Sequence, residues 1–132
     1  MAKKKNFENR MMELRAIQKL KHENIVRTKQ VFFSAESIIS VSEFCEYCDL
    51  KWQMEQRVNY FMSQNQQIPA FPEEIVRMCL VQITRALTYH HDRGWIHLNV
   101  SPSTIFITKN GKFKLNDYDY SMMVADDQIM DV

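Results

Sequence analysis

Residues 94–116 read GWIHLNVSPSTIFITKNGKFKLN, and this stretch decides the fold. Two β-prone runs, 104–108 and 112–116, flank Lys109, Asn110 and Gly111. Asn-Gly between such runs is a strong hairpin signal, because a tight reversal needs backbone angles that Gly adopts without a Cβ clash. Just upstream, Gly94 lies where a helix C-terminal glycine sits. Ahead of it Ile75, Val76, Cys79, Leu80, Ile83, Ala86 and Leu87 keep helical period. Pro69 and Pro72 punctuate the chain before that run, and Glu73 and Glu74 supply the negative charge that favours a helix start. A helix over residues 73–93 followed by a hairpin is therefore predicted.

Farther out, Phe7, Met11, Leu14, Ile17 and Leu20 recur every three or four residues and predict an amphipathic helix over residues 7–21. Residues 25–33 and 38–45 are β-prone runs separated by the short polar Ser34 to Ser37, which predicts an antiparallel pair. The Gln/Asn-rich stretch 49–68, with Trp52, Val58, Tyr60 and Phe61 interspersed, reads as a helix followed by a loop. The class is α+β, in one domain.

A chain of 132 residues holds one ordinary domain, and its 45% apolar and 25% charged composition is that of a globular protein rather than a disordered one. Gly94 and Gly111 are the only two glycines, so no glycine-rich phosphate loop can be built from this sequence. The net charge of +1 gives no reason to expect a nucleic-acid partner. It is unevenly spread, with nine basic and three acidic side chains in residues 1–33 and an acidic excess beyond; Lys3, Lys4 and Lys5 read as a solvated helix start. No apolar run approaches the roughly 20 residues of a membrane span, and no secretory apolar region follows Met1. A cytoplasmic protein with reduced thiols at Cys45, Cys48 and Cys79 is expected. Cys45 and Cys48 have redox or half-zinc-site spacing, but no second pair follows and His22, His90, His91 and His97 lack finger spacing.

The order of elements and several local strings resemble the middle of a protein kinase, specifically the NIMA-related (NEK) serine/threonine kinases. Glu13, then Leu20 to His22 and Asn24 to Val26, is similar to the end of regulatory helix C and the entry to the next strand. Residues 38–50, IISVSEFCEYCDL, resemble the gatekeeper strand and hinge, with Ser42 as gatekeeper and Glu43, Phe44 and Cys45 as hinge. Gln82, Ile83, Ala86, Leu87, Tyr89, His91, Gly94, Ile96 and His97 match the long helix E running into the catalytic loop. Residues 105–111 with Lys114 and Leu115 resemble the hairpin before the magnesium-binding DFG triplet. The resemblance implies a partial kinase-like fold: helix C, two N-lobe strands, hinge, helices D and E, catalytic loop and one hairpin. It divides residues 1–132 into an N-lobe part, about 1–44, and a C-lobe part, 45–132.

The departures bear on activity. The family's catalytic loop follows HRDLKPxN, in which Asp accepts the substrate hydroxyl proton, Lys steadies the transferring phosphate and Asn binds magnesium. Here His97, Leu98, Asn99, Val100, Ser101, Pro102, Ser103 and Thr104 fill those places. The shape residues His97 and Pro102 remain. Asn99 is no base, Ser101 carries no positive charge, and Thr104 is a poorer metal ligand than Asn. The DFG place reads Asp117-Tyr118-Asp119: the resemblance implies that Asp117 is a vestigial magnesium site, the residues alone read also as a solvated acidic turn after a strand, and a second acid replaces the glycine. Glu13 would pair in the family with a strand lysine about 15 to 20 residues upstream. Twelve residues precede Glu13 and eleven follow Ser121, so the expectation is a truncated chain without that lysine, the glycine-rich loop or the APE segment.

The resulting expectation is a catalytically inactive, NEK-like pseudokinase that serves as a binding or scaffolding module and associates with a protein partner or with itself. No bound cofactor is expected. Weak adenine contact at the Glu43 and Cys45 backbone and a trace of magnesium binding at Asp117 are what the resemblance leaves of ATP binding. The alternatives are residual ATP-dependent serine/threonine kinase activity and a decayed gene fragment without specific function.

Overall fold

The computed structural model describes residues 7–116 and 121–123. Lys3 to Lys5 and the Asp117-Tyr118-Asp119 triplet lie outside the described residues. Helix α1 is Phe7–Gln18, strands β1 and β2 are Thr28–Phe33 and Ile38–Ser42, and helices α2 and α3 are Leu50–Ser63 and Glu73–His91. There follow β3 (Trp95–Ile96), a 3₁₀ turn (Pro102–Thr104), β4 (Ile105–Ile107), β5 (Phe113–Leu115) and β6 (Met122–Met123). The expected order of helix, strand pair, helix, long helix and hairpin is observed, and its α+β content is that of a partial kinase fold.

Among the described residues three antiparallel pairs form: β1 with β2, β3 with β6, and β4 with β5. The reversal between β1 and β2 is closed by serine chemistry. Ser34 N–H donates to the Ser37 carbonyl at 2.9 Å, and the Ser34 hydroxyl accepts from Ser37 N–H at 3.0 Å, the local side-chain turn that Ser favours. The β4–β5 hairpin is present, but Gly111 alone takes a positive φ, 75°, while Asn110 does not. Gly111 N–H donates to Thr108 O and Thr108 N–H to Lys112 O, so the loop is longer than the two-residue Asn-Gly turn.

The hydrophobic cluster joins segments far apart in sequence. Ile17, Leu20 and Ile25 pack with Ile83 and Ala86 of α3 and with Trp95, Ile105, Phe113 and Leu115. Ile83, Ala86 and His90 are the buried positions of α3, spaced so that they fall on one face. Polar groups fix the same junction. Leu115 N–H donates to Asn24 O at 2.8 Å and Val26 N–H to Leu115 O at 2.9 Å, so residues 24–26 lie as a parallel bridge against β5. The buried Asn24 amide donates to Gln82 Oε1 at 2.8 Å and Phe113 O at 2.9 Å, and Gln82 Oε1 also accepts Phe113 N–H. α3, the 24–26 segment and the hairpin are thus one unit.

Helix α2 touches the core only at its first residue, Leu50, which packs partly buried against the hydrophobic cluster; no residue of it is fully buried. Asp49 caps it by accepting from Trp52 N–H at 2.8 Å. Arg57 pins the following loop by donating to Pro69 O and Ala70 O and by stacking over the Phe71 ring. The N-terminal half of α3 leaves apolar side chains open to solvent around the helix: Ile75, Val76, Met78, Leu80 and Val81 are all exposed, Leu80 by 64%.

Candidate functional site: the hinge cleft and the catalytic-type loop

A cleft of ≈ 380 Å³ opens where β2 runs out toward α2. Val26, Cys45, Cys48, Trp52 and Phe106 line it together with Glu43 and Asn116. The chain segment that carries it is held from two sides. Tyr47 N–H donates to Ile107 O at 3.1 Å and Ile107 N–H to Cys48 O at 2.9 Å, which lays residues 47–48 along β4. On the other side Glu43 N–H donates to Arg27 O, Arg27 N–H to Glu43 Oε1 at 2.8 Å, and Lys114 Nζ to the same oxygen at 2.7 Å. Burial pushes Glu43 up, but the hydrogen bonds from Lys114 and Arg27 outweigh it and hold the carboxyl below its ordinary range. Burial pushes the Cys45 thiol up. A larger depression of ≈ 560 Å³ lies between α2, at Lys51, Met54 and Val58, and the loop residues Pro102 and Ser103.

The loop after β3 is built around His97, which is 2% exposed. Its Nδ1 accepts Asn99 N–H at 3.2 Å and its Nε2 meets the Asn116 carbonyl at 2.8 Å. The neutral tautomer with the proton on Nε2 satisfies both contacts. Between them Leu98 is forced to a φ of 61°, a left-handed angle that costs an ordinary side chain on the order of 1 kcal/mol, and its side chain is exposed. His97 therefore ties the bend to the residue immediately before Asp117.

The rest of the loop bonds to itself. Thr104, 1% exposed, accepts Ser101 N–H at 3.0 Å through Oγ1 and offers its own hydroxyl proton to Asn99 O at 2.9 Å and Ser101 O at 3.0 Å. The Ser101 and Ser103 hydroxyls bond each other at 2.9 Å. Asn99 is half-buried and carries no charge. The hydroxyls at 101, 103 and 104 thus serve as caps inside the loop.

Of the residues marked out in the sequence, Glu43 and Cys45 meet at the cleft, where Asn116, read from the sequence only as the end of a β-prone run, joins them; His97, Asn99, Ser101 and Thr104 form the loop beside it. Glu13 lies on α1 and is not among the cleft residues; Asp117 is outside the described residues. Sequence reading missed the Lys114–Glu43 pair, the inward turn of Thr104 and the left-handed backbone of Cys48, φ 58°. Only the last had a local signal, since Cys48 closes a short four-residue reversal between a strand and a capped helix.

The described residues contain no group of three His, Cys, Asp or Glu side chains that could hold a metal ion, and no helix long and apolar enough to cross a membrane.

A family model for the protein kinase domain matches residues 1–132. Among curated proteins, the chain is 31% identical over 115 residues to cyclin-dependent kinase F-3 of rice, covering 87% of this chain and 24% of that protein. It is 29% identical over 107 residues to the mouse serine/threonine-protein kinase Nek3, covering 81% and 19%. With mouse Nek1 it shares 33% identity over 118 residues, 89% of this chain and 9% of that protein. The chain thus spans less than a quarter of the length of these relatives.

Proposed function

The chain belongs to the protein kinase domain family, with NEK-like character, and from that premise we propose that it is a kinase-like module that does not transfer phosphate and acts by binding. The observation that carries this reading is the self-bonded loop. Where the family places a carboxylate base, the chain has the neutral Asn99; where it places a magnesium-binding amide, the Thr104 hydroxyl is buried and spent on Ser101 and Asn99 backbone groups. Loss of general-base help alone costs roughly 10²- to 10⁴-fold in rate, and Ser101 offers no charge to the transferring phosphate. The retained features are structural: His97 and Pro102 keep the bend, and the hinge cleft keeps its apolar walls.

The cleft supports weak adenine contact through the backbone at Glu43 and Cys45, without a described group to hold phosphates. The exposed apolar side chains of the N-terminal half of α3 support association with a protein partner or a second copy. A cytoplasmic location with reduced cysteines belongs to the same reading. Calorimetric titration tests the site: adenosine and ATP with Mg²⁺ are expected to bind alike and weakly. ATP with Mg²⁺ binding more than about tenfold tighter than adenosine would mean that the chain grips phosphates, and the proposal would fail.

A further inference from the structure

The two cysteines of the cleft stand in a geometry that the kinase reading does not use. Cys48 N–H donates to the Cys45 carbonyl at 3.2 Å, closing a turn of residues 45–48. The ends of such a turn lie within about 7 Å between Cα atoms, and disulfides span Cα separations of about 4.4–6.8 Å. The turn is also anchored, since Tyr47 N–H and Cys48 O are both bonded to Ile107 of β4 and Asp49 caps α2 directly after it. Both thiols are free and both residues line the same cleft. Their exposure differs: Cys48 is open to solvent, and Cys45 is 6% exposed. The third thiol, Cys79, packs from α3 against the hydrophobic cluster.

We propose that Cys45 and Cys48 form a dithiol–disulfide couple, with Cys48 as the attacking thiol, Cys45 as the resolving thiol, and a small disulfide of the oxidised-glutathione class as oxidant. In the first step the Cys48 thiolate attacks one glutathione sulfur, the glutathione S–S bond breaks, and one glutathione thiolate leaves. In the second, Cys45 gives its proton to solvent and its sulfur attacks the Cys48 sulfur, expelling the second glutathione thiolate. The protein loses two hydrogens, and one glutathione disulfide becomes two thiols. Burial, which favours the neutral Cys45 thiol, makes it the slower nucleophile and so assigns the order.

The test uses the whole chain equilibrated in mixtures of reduced and oxidised glutathione, trapped by alkylation and mapped by mass. No Lys or Arg lies between Lys29 and Lys51, so one tryptic peptide, residues 30–51, carries both cysteines. It is expected to lose about 2 Da and resist alkylation while Cys79 remains alkylated. Cys45→Ser is expected to accumulate the mixed disulfide on Cys48, a gain of about 305 Da, and Cys48→Ser to acquire that adduct on Cys45 at least about tenfold more slowly. The native chain should reach half-oxidation at a glutathione disulfide level at least about tenfold lower than the urea-unfolded chain. A parent chain that stops at the mixed disulfide, equal adduct rates in the two variants, or the same midpoint with and without urea would each overturn the proposal.

Discussion

Acidification singles out His90. The imidazole is 1% exposed, on the buried side of α3, with the His97 ring 6.3 Å away and the Tyr89 ring 6.4 Å away. Burial, and then the neighbouring His97, bring its pKa down to about 4 from the ordinary 6.5. The unfolded chain therefore takes up this proton before the folded one does, and stability falls as the pH drops from about 6.5 toward 4. Each tenfold is worth about 1.4 kcal/mol, so the loss is about 2 kcal/mol at pH 5 and on the order of 3 kcal/mol below pH 4. Domains of this kind are stable by roughly 5–15 kcal/mol, so the loss at pH 5 is a large share. The carboxyls of Glu23, Glu43 and Glu46 are held below their usual range and weaken the fold only at lower pH. His22, also lowered by burial, acts in the same direction as His90, to an extent common to parent and variant. Urea midpoints measured at pH 7.5, 6 and 5 for the parent and His90→Gln check this. The variant is expected to be weaker at pH 7.5 but to lose much less on going to pH 5; equal pH slopes in the two proteins would refute the reasoning.

Asn24→Ala removes both donors of the clasp on Gln82 and Phe113 and leaves the Phe113 carbonyl buried without them, at a cost of roughly 2 kcal/mol. Thermal unfolding should show the loss and hydrogen exchange should quicken at Leu115, whereas unchanged exchange there would mean that the clasp does not hold the hairpin. Lys114→Met strips the half-buried Glu43 of its cation, which should cost about 1–2 kcal/mol and raise the Glu43 pKa toward its ordinary range, readable by NMR titration of the carboxyl. The open apolar side chains of the N-terminal half of α3 should make the isolated chain self-associate, with concentration-dependent gel filtration and strongest exchange protection in α3 and the β4–β5 hairpin; a sharp monomer protected evenly from Phe7 to Leu115 would contradict it.

What the sequence made legible was whatever is written locally. The hairpin follows from Asn110-Gly111 between β-prone runs, and α3 from a period of 3.6 ended near Gly94. α2 was harder because none of its side chains is buried, so no apolar stripe marks it; its cap at Asp49 and the Arg57 clamp define it instead. The hinge's anchoring could not be read at all, because Glu43 and Lys114 are 71 residues apart and their pairing exists only once α3 and the hairpin have packed. Thr104 illustrates the remaining gap. A threonine in a loop can present its hydroxyl to solvent, to a ligand or to backbone, and only the fold shows that the third choice is taken.

Phosphotransfer itself is the most direct test of the kinase-like but inactive reading. The chain is incubated with γ-labelled ATP, Mg²⁺ and a generic serine/threonine substrate, alongside Asn99→Asp and Asp117→Ala. No incorporation above the protein-free blank is expected from the parent, and none from Asn99→Asp, because restoring one carboxylate leaves Ser101 without charge and the Thr104 hydroxyl turned inward. Label transferred by the parent and abolished in Asp117→Ala would contradict the account.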